Sequence, residues 1–387
     1  MINVSQISIG RFHHFHLARY LNKYDLFYQI FTGYPKFKLK DEEDIPEFKI
    51  KSYPYLHTPY MAISRYFNFP KKIMNDLAYY ARTTLDDYAS RNIADSNVLI
   101  ALSGSGVKTG ISIKKKGGYW FCDRGSSHIE YQNDILKEEY ENFSIKYTPI
   151  DQRMIDRELK EYESCDFISV PSNFAYNSFK KFGLEKKLFL NPYGSRTSRF
   201  YQSKKRNYDD FKILFVGQVS LQKGIFYLIE AFKKLKHPKK KLKIIGMISE
   251  DIRDLFLKEL TSEIEWIGRV ENTMLKDFYS ESNVFVMPSI QEGLAMVIGE
   301  AMSCGCPIIA TTNTGAHNIL DDQKEGFIIP IRSSGEILEK LEILANSKYV
   351  QKQMSNNCIL KVKRINGWGD YGNRWYKKIK SLDKKFL

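Results

Sequence analysis

The sequence predicts an α/β chain of two Rossmann-like, doubly wound parallel-sheet domains facing each other across a cleft. Three observations predict it. The 387 residues exceed what one hydrophobic core organises. Short apolar runs alternate with amphipathic stretches along both halves, the pattern of a parallel sheet covered on both faces. Two of the apolar runs lead through glycine-containing turns into helices, at Val216–Gly224 and Met287–Ser303, which is how such sheets build a ligand cleft at their carboxyl ends.

In the first half, residues 2–9 read as a strand, His13–Leu21 as a helix and Leu26–Phe31 as a second strand. Residues 35–70 are a polar, proline-containing insertion with no assigned structure. Val98–Leu102, Tyr119–Cys122 and Phe167–Val170 read as further strands. The polar, basic stretch 195–210 reads as the linker, so the expected divisions are 1–200, 207–365 and a terminal segment 366–387.

The second half is more regular. Strands are expected at Phe211–Val216, Lys241–Ile245, Ile264–Ile267, Val284–Met287, Pro307–Ala310 and Gly326–Ile329. Helices are expected at Ile225–Leu235, Asp251–Leu260, Thr273–Ser280, Leu294–Ser303 and Gly335–Ala345. Gly305 and Pro307 close the Leu294 helix.

Composition narrows the class. A chain that is 43% hydrophobic and 27% charged is globular. No run of ~18 apolar residues exists to cross a bilayer as a helix. The amino terminus lacks the basic and cleavage features of a signal peptide. Five scattered cysteines suit a reducing cytoplasm, and Cys304-Gly-Cys306 has no second pair with which to hold zinc. The net charge of +14 is spread over both halves and suits a phosphorylated substrate, an anionic membrane face or nucleic acid. No helix–turn–helix, zinc finger or RNA-stacking motif accompanies it, which argues against nucleic acid. Aromatic residues beside lysines, as in Tyr66–Ile73, suit lipid headgroups and ordinary packing alike.

Glu292 and Glu300 carry the chemistry. At 1.5 Å per helical residue their carboxylates stand about 12 Å apart, a span that can hold a nucleotide-sugar at both ends. Between them Gly293, Leu294 and Ala295 lead into a helix whose first N–H groups suit an anion. The alternative is plain: a helix start favours glutamate by its dipole alone. Yet the rest of this helix is small and apolar, where an unused charge is costly. In Val216-Gly-Gln-Val-Ser-Leu-Gln-Lys-Gly224, Lys223 and the backbone can neutralise a diphosphate, although the spacing is not that of a Walker A loop. Gly104–Thr109 fails that spacing too and reads as a strand-to-helix turn. Gly10, ahead of the first helix, lets backbone approach a ligand or simply turns the chain.

Assembled, these segments resemble the retaining, GT-B-fold glycosyltransferases of group 1 (family 4). The matching pieces are Gly10, Val170-Pro-Ser-Asn-Phe174, Asn191-Pro-Tyr-Gly194, Val216-Gly217 with Lys223-Gly224, Ile267-Gly-Arg-Val270, Pro288-Ser289, the Glu292 and Glu300 pair, and Gly367-Trp-Gly-Asp-Tyr371 with Trp375. The resemblance implies a terminal helix crossing back to the first domain. It also implies a nucleotide-diphosphate-sugar donor, a hydroxyl acceptor on a glycan or lipid carrier, and no metal or other cofactor. Under it Lys223 holds the diphosphate and Glu300 the ribose. Glu292 with Gly293, Leu294 and Ala295 holds the sugar, and Arg269 and Val270 face the base. His128, after a strand end, would touch the sugar or acceptor, its alternative being a helix-start histidine without a role. Arg124 would touch phosphate or serve structure. His13, His14 and His16 are expected at the acceptor cleft or surface, with no metal site at that spacing.

Three positions depart from the pattern. Gln218 stands where a basic residue is usual, leaving Arg11 or Arg124 to supply the charge. Arg196 and Asn318 stand where acidic residues are usual. A GT-B nucleotide-sugar epimerase or sugar phosphorylase, a sugar-binding relative without activity and a basic nucleic-acid-binding protein are the competing readings.

Overall fold

A computed structural model describes residues 2–40, 42–66, 69–194, 199–365 and 367–382; Arg196 lies outside them, as do parts of the expected linker and of the Tyr66–Ile73 stretch. The first sheet comprises β1 (Val4–Ser8), β2 (Phe27–Thr32), β3 (Ile50–Ser52), β4 (Val98–Leu102), β5 (Tyr119–Asp123), β6 (Phe167–Val170) and β7 (Leu188–Leu190). Its order is β3-β2-β1-β4-β5-β6-β7. The second comprises β8 (Phe211–Val216), β9 (Lys240–Ile245), β10 (Ile264–Gly268), β11 (Val284–Met287), β12 (Ile308–Thr311) and β13 (Gly326–Ile329), in the order β10-β9-β8-β11-β12-β13. Every pairing between these strands is parallel. The central strands are buried on both faces, as the continuous apolar runs required; Val98, Leu99, Ile100, Val284, Phe285 and Val286 have no exposed surface.

Strand order reverses between β1 and β4 in the first sheet and between β8 and β11 in the second. Crevices form at such switch points, and the loops after these strands carry the candidate residues.

The terminal segment crosses back as expected. Helix Trp368–Lys380 packs on helix His13–Asn22, and its Tyr371, Trp375 and Ile379 are buried in one cluster with Phe15, Leu17 and Phe121. A Cβ on Gly372 would run into the Tyr20 ring, so only glycine lets the two helices meet this closely. Arg374 fastens the crossing by donating from Nε to Asn191 Oδ1 at 2.6 Å and from Nη2 to the Pro192 carbonyl at 2.5 Å.

Some expectations are corrected. The 35–70 insertion contributes β3 to the sheet edge and the helix His57–Tyr66. Helices Lys71–Asn92 and Lys348–Arg364 were not expected, because many polar residues dilute their apolar stripes. The helix after β11 starts at Met296, not Leu294: Ala295 is its cap, with a non-helical ψ of 88°, and donates its N–H to the Thr314 carbonyl at 2.9 Å. Glu300 is therefore about one turn into its helix.

Candidate active site

The second domain builds its part from two loops. After β8 the chain makes a 3₁₀ turn over Leu221–Lys223 and leaves it through Gly224 at φ 66°. A Cβ on Gly224 would press into the Pro288 carbonyl, so this glycine seats the lysine turn against the end of β11. The Ile290 N–H donates to the Gln222 carbonyl at 2.9 Å, and Gln222 Nε2 donates to the Gln291 carbonyl at 3.1 Å. So zipped together, the loops bring Lys223 Nζ into direct contact with Glu292 Oε1. Burial pulls the Lys223 ammonium down to about 8. The Glu292 carboxylate in contact with it works the other way, favouring the charged ammonium. At neutral pH the lysine is protonated under either influence.

Gly293 and Leu294 present N–H groups without a protein partner among the described residues, whereas those of Glu292 and Ala295 are taken by the carbonyls of Asn313 and Thr314. The expectation of a free Ala295 N–H is thus corrected. Glu300 is half-buried in the helix Met296–Ser303 and accepts from Tyr279 Oη at 3.5 Å. Arg269, exposed, and Val270, half-buried, follow the edge strand β10. Gln218 is exposed, with Nε2 3.5 Å from Ser249 Oγ. It lines a cavity of about 330 Å³ between the domains, with Ser220 and Gln222 beside it and Tyr140, Tyr147 and Met154 opposite.

The first domain meets this loop directly. Ser172 Oγ donates to the Gly293 carbonyl at 2.5 Å, and Gln291 Nε2 donates to Ser126 Oγ at 2.7 Å and Ser127 Oγ at 3.0 Å. The Asn173 N–H donates to Asn318 Oδ1 at 2.8 Å. Arg332 binds Glu139 at 2.6 Å and Glu138 at 2.7 Å. None of these contacts was foreseen, since each joins residues more than a hundred positions apart. Of the participants, the sequence had marked Ser172 and Asn173 in the Val170–Phe174 motif, Gly293 beside Glu292, and Asn318 as a departure from the pattern.

Two expected participants are corrected. His128 caps the helix Ile129–Asn142, and its ring is enclosed, stacked on Phe182 at 3.8 Å with Tyr162 and Phe179 against it. It is 1% exposed, so this arrangement leaves no surface to touch a sugar. Burial lowers it to about 4, with the Arg124 charge adding to the effect. Arg124 is engaged within its own domain: Nη1 lies 3.0 Å from both Glu158 oxygens, Nη2 donates to Gln132 at 2.7 Å and Nε to the Ser127 carbonyl at 3.0 Å. Burial opposes its charge, but Glu158 beside it holds the guanidinium above its ordinary range. Arg11 is likewise paired, with Glu42 at 2.6 Å. Arg124, buried and held at every nitrogen, is not at liberty to replace the charge absent at Gln218.

Gly10 is buried after β1, its carbonyl accepting from Ser8 Oγ at 2.8 Å and the Phe12 ring lying over it. Just beyond, the fold makes a cluster that the sequence did not disclose. His13 Nε2 and His14 Nε2 both reach Asp123 Oδ2 at the end of β5, at 2.7 and 3.3 Å. The three donor atoms lie within 4.8 Å of one another, so the histidines do gather as a potential ligand set once Asp123 joins them. A hydrogen bond joins only His13 to Asp123, while His14 Nε2 stands 3.3 Å from the carboxylate without one. Burial would raise the Asp123 carboxyl, but His13 and His14 beside it hold it below its ordinary range. His14, fully buried, is lowered to about 3 and is neutral.

Residues 197–360 match the family described as "Glycosyl transferases group 1". The "Capsular polysaccharide biosynthesis glycosyltransferase CapM" of Staphylococcus aureus is 32% identical over 155 residues, 38% of this chain and 40% of that protein. A Campylobacter jejuni alpha-1,4-N-acetyl-D-galactosaminyltransferase, named for an undecaprenol-linked glycan, is 25% identical over 205 residues, 51% of this chain and 55% of that protein. The chain thus spans roughly half, or less, of the length of these relatives. Among solved structures, sucrose-phosphate synthase from Thermosynechococcus elongatus superposes with a TM-score of 0.71 at 16% identity, covering 100% of both chains. Anabaena Alr3699/HepE in complex with UDP-glucose superposes with a TM-score of 0.68 at 13% identity, covering 98% of this chain and 100% of the other. The chain therefore has the GT-B fold, two Rossmann-like domains facing each other, and over residues 197–360 it is similar to the group 1 glycosyltransferases.

Proposed function

We propose that this chain is a retaining glycosyltransferase that moves a hexosyl group from a nucleotide-diphosphate-sugar to a hydroxyl of a glycan or lipid-linked acceptor, in bacterial surface-polysaccharide synthesis. The observation that carries the reading is the Lys223–Glu292 contact at the switch point of the second sheet, facing Gly125–Ser127 of the first domain. A diphosphate arriving there would exchange the carboxylate for phosphate oxygens on Lys223. Glu292, released, would accept hydrogen bonds from sugar hydroxyls. Gly293 and Leu294 would offer their N–H groups to the same ligand. As the anomeric carbon–oxygen bond breaks, the electron pair leaves with the diphosphate. Lys223 stabilises that charge, so no metal is required for this step. Departure and attack on one face give retention without a covalent enzyme intermediate. Glu300, farther along the helix, would hold the ribose, and Arg269 and Val270 would border the base.

The names of the S. aureus and C. jejuni relatives support a surface-glycan product and a lipid-linked acceptor. HepE, solved with UDP-glucose, supports the donor class. No helix among the described residues is long and apolar enough to cross a membrane. The exposed Phe37, Phe48, Tyr55 and Met61 of the first domain, with the overall positive charge, support contact with an anionic cytoplasmic membrane face. Sedimentation with anionic vesicles at low salt tests that contact, and absence of binding would remove it.

The test of the main reading is thermal shift with UDP, GDP, ADP, CMP and their sugar conjugates, with Lys223→Ala in parallel. One nucleotide should stabilise the protein, and the variant should lose that stabilisation. An unshifted wild type, or an equal shift in the variant, would refute the site.

A further inference from the structure

The cavity between the domains takes part in none of the steps above, yet its walls are firmly built. Tyr140, one of its lining residues, donates from Oη to the Asp251 carboxylate of the second domain. Leu136, another, is buried in one cluster with Ile135 and Ile290, and Tyr147 and Tyr227 pack against them. The Phe143 ring lies 5.4 Å from that of Phe226 and 5.9 Å from that of Tyr227. The two walls are thus fastened to each other before any ligand arrives. The volume of about 330 Å³ falls at the small end of ligand pockets, enough for one compact unit.

The lining is neutral. No described lysine or arginine belongs to it, in a chain of net charge +14. The carboxylate on it, Asp151, is held by Arg153 through Nε at 3.0 Å and Nη2 at 2.6 Å. A phosphate brought here would lose water and find no cation in its place. What the lining offers is hydroxyls, amides and aromatic rings. Ser220 is 6% exposed, and its hydroxyl has no hydrogen-bond partner among the described residues. The Asn75 amide, on the helix Lys71–Asn92, has none either. Gln222 gives its Nε2 to Gln291 and keeps its own Oε1 open to a donor. Tyr140 and Tyr147, with ring centroids 5.3 Å apart, stand on the first-domain side. The negative face of such a ring attracts the C–H face of a sugar, and open amides and hydroxyls match its hydroxyl groups.

We propose that this cavity is the subsite for a neutral saccharide unit of the acceptor, contacted by Asn75, Tyr140 and Tyr147 of the first domain and by Ser220 and Gln222 of the second. The subsite rests on the glycosyltransferase reading and locates the acceptor, which that reading leaves unplaced. Gln222 precedes Lys223 in one turn and bonds to Gln291, the neighbour of Glu292. A sugar held here therefore lies beside the place where the donor diphosphate would meet Lys223. Gln218 belongs to the same lining, so its lack of charge becomes a preference for sugar over phosphate.

The test uses the full chain. UDP-glucose, GDP-mannose and ADP-glucose are the donor probes, read by thermal shift. The methyl α-glycosides of glucose, galactose, mannose and N-acetylglucosamine, with glucose 1-phosphate, are the acceptor probes, read by saturation-transfer NMR. At least one glycoside should bind, and more tightly than glucose 1-phosphate. Tyr147→Ala and Asn75→Leu should each weaken that binding about 10-fold, the size of one ring contact or hydrogen bond, and leave the donor shift unchanged. Should Tyr147→Ala lose its donor shift, Tyr147→Leu, which keeps apolar bulk without the ring, carries the same expectation. Wild-type glycoside affinity in either the Tyr147 or the Asn75 variant would overturn the proposal. So would tighter binding of glucose 1-phosphate than of any glycoside, or no glycoside binding to a protein that a donor probe stabilises. Each of those outcomes leaves the transferase reading standing. A wild type stabilised by no donor probe would sink that reading, and the acceptor assignment with it.

Discussion

Gly293→Ala should push the two domains apart without unfolding either. An ideal Cβ at Gly293 would stand 2.7 Å from the Gly125 carbonyl carbon, 3.0 Å from Ser126 Cα and closer still to the Gly125 oxygen. All three are backbone atoms, so no rotamer change relieves them. Carbon atoms settle ~3.5 Å or more apart and the oxygen stands nearer than either carbon, so the facing backbones must separate by more than about 1 Å. That separation stretches the Ser172–Gly293 bond and the bonds from Gln291 to Ser126 and Ser127. At ~1 kcal/mol net for each hydrogen bond, the apposed arrangement loses about 2–3 kcal/mol relative to an opened one. Under the proposed function, turnover should fall by roughly the corresponding factor of 30–150. Small-angle scattering should report a larger radius of gyration, and limited proteolysis should cut the inter-domain loops sooner. Gly335→Ala, where the added carbon meets nothing within 4 Å, is the control and should match wild type. Unchanged scattering and proteolysis in Gly293→Ala would refute the reasoning, because the backbone clash would then not exist in solution.

Two further predictions concern stability. Trp375→Ala removes a fully buried side chain where the terminal helix meets the first domain, and should cost ~3–5 kcal/mol; a denaturant midpoint near wild type would show that the crossing helix contributes little. The folded His128 titrates at about 4, below the 6.5 of an unfolded chain, so between those values the unfolded state binds the extra proton. Its neutral burial therefore leaves stability intact above pH 6.5 and erodes it as pH falls toward 4. His128→Phe should remove about 1–3 kcal/mol of that erosion, and equal pH slopes for variant and wild type in urea melts would count against it.

The sheets were legible because each central strand is a short apolar run between turn residues, and local pattern is all a buried parallel strand needs. Where apolar periodicity weakened, legibility failed: the 22-residue helix Lys71–Asn92 and the three-residue β7 carry too little stripe or length to stand out. At the site, the stretches bearing Lys223, Glu292 and Glu300 were readable because glycine turns and strand ends announce themselves locally. The roles of His128 and Arg124 were misjudged because a histidine or arginine after a strand reads the same whether it faces a cleft or an aromatic niche. Burial against Phe182 and pairing with Glu158 distinguish the two, and both are tertiary facts.

By itself, then, the sequence determined the two-domain α/β architecture and which loops carry a lysine and a glutamate, since both follow from periodicity and turn chemistry along the chain. Only the tertiary structure decided which polar groups meet: Lys223 with Glu292, Gln291 with Ser126 and Ser127, His13 with Asp123. The members of these pairs stand 69 to 165 positions apart. The physical reason is that a parallel sheet sets neighbouring strand ends side by side regardless of their distance in sequence. The chemistry of a crevice is therefore written by strand order, which no local spacing encodes.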